Sequence, residues 1–279
     1  MRVALLGALL AALVPAASAA PAGTVTRGSV QVDGLTRTYR LYVPIRPRRP
    51  APVVLVFHGG FGTGARVASQ TGFDAEAERR GFIAVYPDGI GRTWNAGLCC
   101  GAADRLDLDD VGFVRKVLDK LGRQHAIARK RVYATGISNG GLFSYVLACR
   151  MSGRIAAAAP VAATLDSECS PSRPVSILHV HGLADQNIPY EGGDGPRGVT
   201  DVVWPPVEKG IEAWRRLDGC PEQGAATAGP VIAMTVWAPC GGGTEVRLVT
   251  LAGVGHTWPK GLYDATQEIW RFFAAHPKR

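Results

Sequence analysis

The chain has 279 residues, 47% of them hydrophobic, and 31 Lys and Arg against 23 Asp and Glu give it a formal net charge of +8. That length and apolar content can bury one large core, which excludes a disordered or fibrous chain. The basic surplus could suit a nucleic acid or an acidic surface, but its densest groups, Arg46-Pro47-Arg48-Arg49, Arg79-Arg80 and Arg129-Lys130-Arg131, fall at separate expected loops and helix ends, so no nucleic-acid partner is expected.

Residues 1–19 read as a signal peptide: Arg2 supplies a positive start, 3–14 an apolar run, and Ala17-Ser18-Ala19 a small-x-small cleavage pattern. The run is shorter than the ~20 apolar residues that a bilayer takes. The expectation is a secreted, monomeric chain of one domain over 20–279, with no membrane association and with Arg2 lost, taking the charge from +8 to +7. Six cysteines in an exported chain favour disulfides. Cys220 and Cys240 flank a Gly/Pro/Ala-rich excursion over 221–239 and are expected to pair. The partners of Cys99, Cys100, Cys149 and Cys169 stay open; a bridge from Cys99 or Cys100 to Cys169 is one option, since both follow expected strand ends. No Cys-x-x-Cys or His-x-x-x-His spacing points to a metal, so none is expected.

Residues 31–43 alternate around Asp33-Gly34, a hairpin signal. The run 52–57 is continuously apolar, as in a strand buried on both faces of a parallel sheet. Similar runs recur at 82–86, 132–135, 156–161, 175–180 and 246–251, with helical patterns over 73–80, 111–121, 142–150, 207–217 and 265–275 between or after them. This alternation predicts an α/β fold, a mostly parallel, doubly wound sheet with an N-terminal antiparallel hairpin. Segments 192–198 and 219–243 read as soft insertions.

Gly136-Ile137-Ser138-Asn139-Gly140 lies between an expected strand and an expected helix. Gly-x-Ser-x-Gly in that setting is a nucleophile elbow, which points Ser138 outward at the positive end of the next helix. A serine hydroxyl needs a base, and the base an orienting carboxylate, in the order Ser, acid, His. His256 follows the last apolar run, where α/β sheets place their sites, and is the expected base. Asp185 follows the run ending near His181 and is the expected acid, with Asp166 as the alternative. The oxyanion donors are expected to be the amide of Asn139 and that of Gly60 or Phe61, in the loop His58-Gly59-Gly60-Phe61-Gly62. His58 precedes the nucleophile and is expected to brace that loop.

Several motifs recur together: His58-Gly59-Gly60, Trp94-Asn95-Ala96-Gly97, Asp109-Asp110-Val111-Gly112-Phe113, the Ser138 elbow, His181-Gly182-x-x-Asp185-x-x-Ile188-Pro189-Tyr190 and Gly255-His256-Thr257-Trp258-Pro259. With them the chain resembles the secreted polyhydroxybutyrate depolymerase and feruloyl esterase family, related to carbohydrate esterase family 1, over roughly residues 25–275. The resemblance implies an α/β-hydrolase fold and a serine esterase without cofactor, with Ser138, Asp185 and His256 as its triad. It implies an ester substrate: a feruloyl or acetyl ester of a polysaccharide, or a short polyhydroxyalkanoate oligomer. Trp94 and Trp258, and further off Trp204, are expected near the substrate, and Asp109 and Asp110 are expected to cap a helix. Acyl transfer of the mycolyltransferase kind and a catalytically silent binding protein are the alternatives.

Overall fold

The computed structural model describes residues 23–279 except 98, 100, 166–168 and 199–200. The signal peptide over 1–19, Cys100 and the alternative acid Asp166 lie outside the described residues. The chain opens with the hairpin β1 (Thr24–Val32) and β2 (Leu35–Val43). Asp33 and Gly34 turn it with φ of 48° and 77°, the left-handed pair that matches strand twist. There follow β3 (Ala51–Phe57), α1 (Gly64–Thr71), α2 (Phe73–Arg80), β4 (Ile83–Pro87), α3 (Gly101–Arg105), α4 (Asp110–Gln124), β5 (Ile127–Ile137) and α5 (Asn139–Arg150). The second half contains β6 (Ala157–Val161), β7 (Ser176–Gly182), a small pair β8 (Gly193–Asp194) and β9 (Val203–Trp204), and α6 (Val207–Leu217). It ends with β10 (Ala225–Ala228), β11 (Ile232–Trp237), β12 (Val246–Leu251) and α7 (Ala265–Ala275).

One sheet runs in the order β1-β2-β4-β3-β5-β6-β7-β12-β11-β10. Its centre, β4-β3-β5-β6-β7-β12, is parallel, and both flanks are antiparallel. Every residue of β3, β4, β6 and β7 is buried, because helices cover both faces. Side chains divide with period two: Val53, Leu55 and Phe57 join the core under α4, α5 and α6, while Val54 and Val56 join the one under α1, α2 and α7. This is the α/β-hydrolase arrangement, with the loops at the carboxyl ends of the central strands free to form a site.

Two expectations need correction. The segment over 219–243 is not an insertion: β10 and β11 extend the sheet beyond β12 as an antiparallel hairpin. All of β10 is exposed and β11 is half-buried. β10, Ala225-Ala226-Thr227-Ala228, is made by backbone pairing with β11 rather than by a buried stripe, whereas β11 pairs with β12 and packs Ile232 and Met234 against the core. Cys220 and Cys240 are joined there, with Cα atoms 4.0 Å apart. Cys169 does not bond to Cys99; it bonds to Cys149, Cα to Cα 5.7 Å. Before β7 begins the chain has returned to the strands' amino ends, where α5 also finishes, whereas Cys99, itself disulfide-bonded, lines a cavity at the carboxyl ends.

Candidate active site

β5 ends at Ile137 and α5 begins at Asn139, so one residue reverses the chain. Ser138 does this at φ 58° and ψ −129°, a strained region that costs ~1–3 kcal/mol and persists only where neighbours enforce it. Its N–H donates to the Val161 carbonyl (3.0 Å), and its carbonyl accepts from Leu142 N–H (2.9 Å). A Cβ on Gly136 would lie 2.6 Å from the Gly140 backbone, and one on Gly140 would lie 2.4 Å from the Phe57 carbonyl oxygen. Only glycine fits on either side of the serine.

Ser138 lines a cavity of about 340 Å³ together with His256, Gly60, Leu142, Ile188 and Trp204. His256 comes from the loop after β12 and Asp185 from the turn after β7. Parallel pairing of these strands, and the bonds Leu183 N–H to Leu251 O and Ala184 N–H to Val254 O (both 2.9 Å), bring the two loops together. His256 Nδ1 donates to Asp185 Oδ2 at 2.7 Å, leaving Nε2 as the basic ring nitrogen. Asp185 Oδ1 accepts the amides of Asn187 (2.8 Å) and Ile188 (3.0 Å). Burial pushes this carboxyl up, but the hydrogen bond and charge of His256, with those two amides, outweigh burial and hold it below the usual carboxylate range.

On the other side of the cavity, loop 58–62 is tied to the segment 88–95. His58 Nδ1 donates to the Gly59 carbonyl (2.8 Å) and Nε2 accepts Gly89 N–H (3.0 Å), which fixes a neutral tautomer; burial lowers its pKa to match. The Phe61 amide was one of two expected oxyanion donors, but it already donates to the Arg92 carbonyl (2.8 Å). That hydrogen bond rules Phe61 out and leaves Gly60. The Arg92 guanidinium returns hydrogen bonds to the Phe61 and Gly62 carbonyls. The side chain of Asn139 is clamped as well: Oδ1 accepts Trp94 N–H (2.7 Å), and Nδ2 donates to the carbonyls of Trp94 (3.0 Å) and Cys99 (2.9 Å).

Of the three tryptophans expected near the substrate, Trp94 and Trp258 do not line the cavity. Trp94 is fully buried, stacked on Phe143 with its Nε1–H donated to the His58 carbonyl (2.9 Å), so it supports the loop from behind. Trp258 is also buried, packs edge-on to Phe73 and donates to Thr266 Oγ1 (2.9 Å). Trp204, the third, lines the cavity. Asp109 caps α4, accepting Gly112 N–H at 2.7 Å. Asp110 does not cap: it is buried in an ion pair with Arg37 and accepts Asn95 N–H (2.8 Å), an anchor for the segment 88–95 that helix-start chemistry alone would not reveal. Arg66, Val67 and Gln70 of α1, a helix absent from the sequence reading, complete the cavity rim. Among the described residues no cluster of three or more His, Cys, Asp or Glu is placed to hold a metal ion.

The model of the X-Pro dipeptidyl-peptidase (S15) family matches residues 33–174, a span that contains His58 and Ser138 but neither Asp185 nor His256. "Putative esterase NocK" of Nocardia uniformis subsp. tsuyamanensis is 31% identical over 265 residues, 86% of this chain and 76% of that one. Feruloyl esterase B of Piromyces equi is 30% identical over 75% of this chain and 40% of its own length. A bifunctional acetylxylan esterase/xylanase of Neocallimastix patriciarum is 28% identical over 86% of this chain, but only 33% of that protein is spanned. Among solved structures, an acetyl xylan esterase from Aspergillus awamori superposes with a TM-score of 0.61 at 18% identity, covering 89% of this chain and 99% of that one. An S-formylglutathione hydrolase from Agrobacterium tumefaciens gives 0.62 at 15%, covering 93% and 98%; at such identities the likeness concerns the fold alone. The chain therefore belongs to the S15-type α/β-hydrolases and is a feruloyl-esterase-like member with esterase function.

Proposed function

We propose that the protein is an exported serine esterase in which Ser138 is the nucleophile, His256 the general base and Asp185 the residue that orients it. The observation that carries this reading is the strained Ser138 lining one cavity with a His256 whose Nδ1–H is held by Asp185 at 2.7 Å. With Nδ1 engaged, Nε2 of His256 takes the Ser138 proton as the hydroxyl attacks the ester carbonyl. The developing oxyanion binds the amides of Asn139 and Gly60, where the positive end of α5 adds its dipole. His256 then protonates the departing alcohol, and water deacylates the serine by the reverse roles.

The substrates proposed are feruloyl or acetyl esters of polysaccharides, or short polyhydroxyalkanoate oligomers. Support comes from the names of the relatives and from a cavity wall formed by Leu142, Ile188 and Trp204. None of the described lining residues is acidic, and Arg66 and Arg92 are basic. An N-terminal ammonium, which an aminopeptidase-like reaction must bind, would meet like charge there, so esters are favoured over peptides. The apolar run over 3–14 within the expected signal peptide and the disulfides support export.

Ser138→Ala is expected to remove p-nitrophenyl acetate hydrolysis by a factor on the order of 10⁴–10⁶ while the protein keeps its melting temperature. Retention of more than a few per cent of activity would sink the assignment. Methyl ferulate, acetylated xylan and hydroxybutyrate oligomers, compared by kcat/KM, would then rank the esters.

A further inference from the structure

The proposed reaction leaves three buried polar residues unused: Tyr145 on α5, and His179 and His181 on β7. They form one line that ends on the acid loop. Tyr145 Oη lies 2.8 Å from His179 Nδ1, and His179 Nε2 lies 3.1 Å from His181 Nδ1. His181 Nε2 lies 2.9 Å from the Ile188 carbonyl oxygen and 3.5 Å from Asp185 Oδ2.

The proton positions follow from the far end of the line. A carbonyl only accepts, so His181 carries its proton on Nε2. Its Nδ1 is then bare in a neutral ring, so His179 must donate from Nε2, which in turn leaves His179 Nδ1 to accept the Tyr145 hydroxyl. Every hydrogen bond in the line points toward the acid loop. Burial lowers the pKa of both imidazoles, favouring the neutral rings that this order requires, and raises that of the Tyr145 phenol. The groups facing His181 are His179, Asp185, His256, the carbonyls of Ile188 and Ala163, and the Tyr190 ring, whose hydroxyl is donated to Glu208 at 3.0 Å.

We infer that His181, backed by His179 and Tyr145, is a positioning residue for the acid of the proposed triad. Its Nε2–H grips the Ile188 carbonyl, while the Ile188 amide grips Asp185 Oδ1. The same N–H lies near Asp185 Oδ2, the oxygen that accepts the hydrogen bond of His256 Nδ1–H. The loop 182–188 is thereby held at both ends of Ile188's peptide groups, and the carboxylate cannot swing without breaking a buried hydrogen bond. A satisfied polar line of this kind specifies one geometry where an apolar core would tolerate several.

This inference rests on the reading of Asp185 as the acid, and the test keeps the two separate. In ¹⁵N NMR of the wild-type protein near neutral pH, His179 and His181 are both expected as neutral Nε2–H tautomers; an Nδ1–H tautomer at either would overturn the inference whatever the enzyme's activity. In kinetics, His181→Leu is expected to lower kcat about 10–100-fold with KM nearly unchanged, the scale of a small displacement in a site. His181→Gln, which keeps a donor for Ile188, should recover most of the loss, together with the downfield proton of the His256–Asp185 hydrogen bond. A Leu variant near wild-type kcat, or a Gln variant as poor as the Leu variant, would refute the positioning role. If His181→Leu does not fold, Tyr145→Phe removes only the last donor: both rings should stay Nε2–H, because the Ile188 carbonyl sets the order, and a switch of His179 to Nδ1–H would also refute it. Wild-type activity in Asp185→Asn, with both tautomers as expected, would instead count against the proposed triad.

Discussion

The two walls of the cavity are anchored by different chemistry. Behind the loop 58–62 stands the segment 88–95, fixed by backbone bonds and by a buried charge: Asp110 pairs with Arg37 and takes the Asn95 amide. The Arg37 guanidinium also lies 4.3 Å from the Phe113 ring centroid. Behind the Asp185 loop stands the neutral line Tyr145–His179–His181. A buried charge pair stabilises only while both partners remain, because either one alone is a desolvated ion. A neutral line loses a hydrogen bond when it is cut, which disturbs placement more than folding. Damage on the first wall should therefore show mainly as lost stability, and damage on the second as lost turnover.

The largest expected effect is on the acid wall. Asp185→Asn should lower kcat by about 10⁴-fold through the wrong imidazole tautomer, with the fold intact, whereas Asp166→Asn should leave kcat within about twofold. A larger loss at Asp166, read by p-nitrophenyl acetate turnover, would move the acid there. On the opposite wall, Asp110→Asn leaves the Arg37 charge buried without its partner and should cost about 3–5 kcal/mol in urea unfolding. Turnover per folded molecule should change far less; loss of turnover without loss of stability would reverse the contrast between the walls.

Away from both walls, replacing Cys220 and Cys240 by serine opens a loop with a sequence separation of 20 residues and should cost about 3 kcal/mol, with kcat unchanged because β10 and β11 contribute nothing to the cavity. The smallest expected effect concerns Asp218, buried between α6, β7 and the start of the β12 segment, accepting Val175 N–H and the Thr244 hydroxyl with no cation paired to it among the described residues. Burial pushes its pKa up to about 6, against those hydrogen bonds. Its protonated form favours the fold, so this contribution is complete below the unfolded value near 4 and is lost as pH rises through about 6. Wild-type stability relative to Asp218→Asn should fall by on the order of 2 kcal/mol between pH 4 and 6.5. A pH-independent difference would show that Asp218 titrates normally.

Much of the fold was legible because it is local. The spans 73–80, 207–217 and 265–275 read as helices and are helices, since each carries its own apolar period. The continuous apolar runs became β3, β4, β6 and β7 because burial on both faces removes alternation. α1 went unread: its eight residues carry no large apolar side chain but Val67, and it is defined by the Thr63 cap and packing beneath 67 and 68 rather than by a long period. β10 and β11 went unread because their order comes from the edge of β12.

Ser138 in its Gly-x-Ser-x-Gly turn, the strand–helix alternation around it, and the places of Asp185 and His256, each just after an apolar run, are properties of contiguous residues, and the sequence by itself determined them. Tertiary structure alone decided that the Phe61 amide is spent on Arg92, that Trp204 rather than Trp94 or Trp258 reaches the cavity, and that Cys169 meets Cys149. It also turned Asp110 from an expected helix cap into the buried partner of Arg37. The reason is common to all four. A hydrogen bond, a cavity wall, a disulfide and an ion pair each depend on where distant segments come to lie after the sheet has assembled, and no local pattern records that distance.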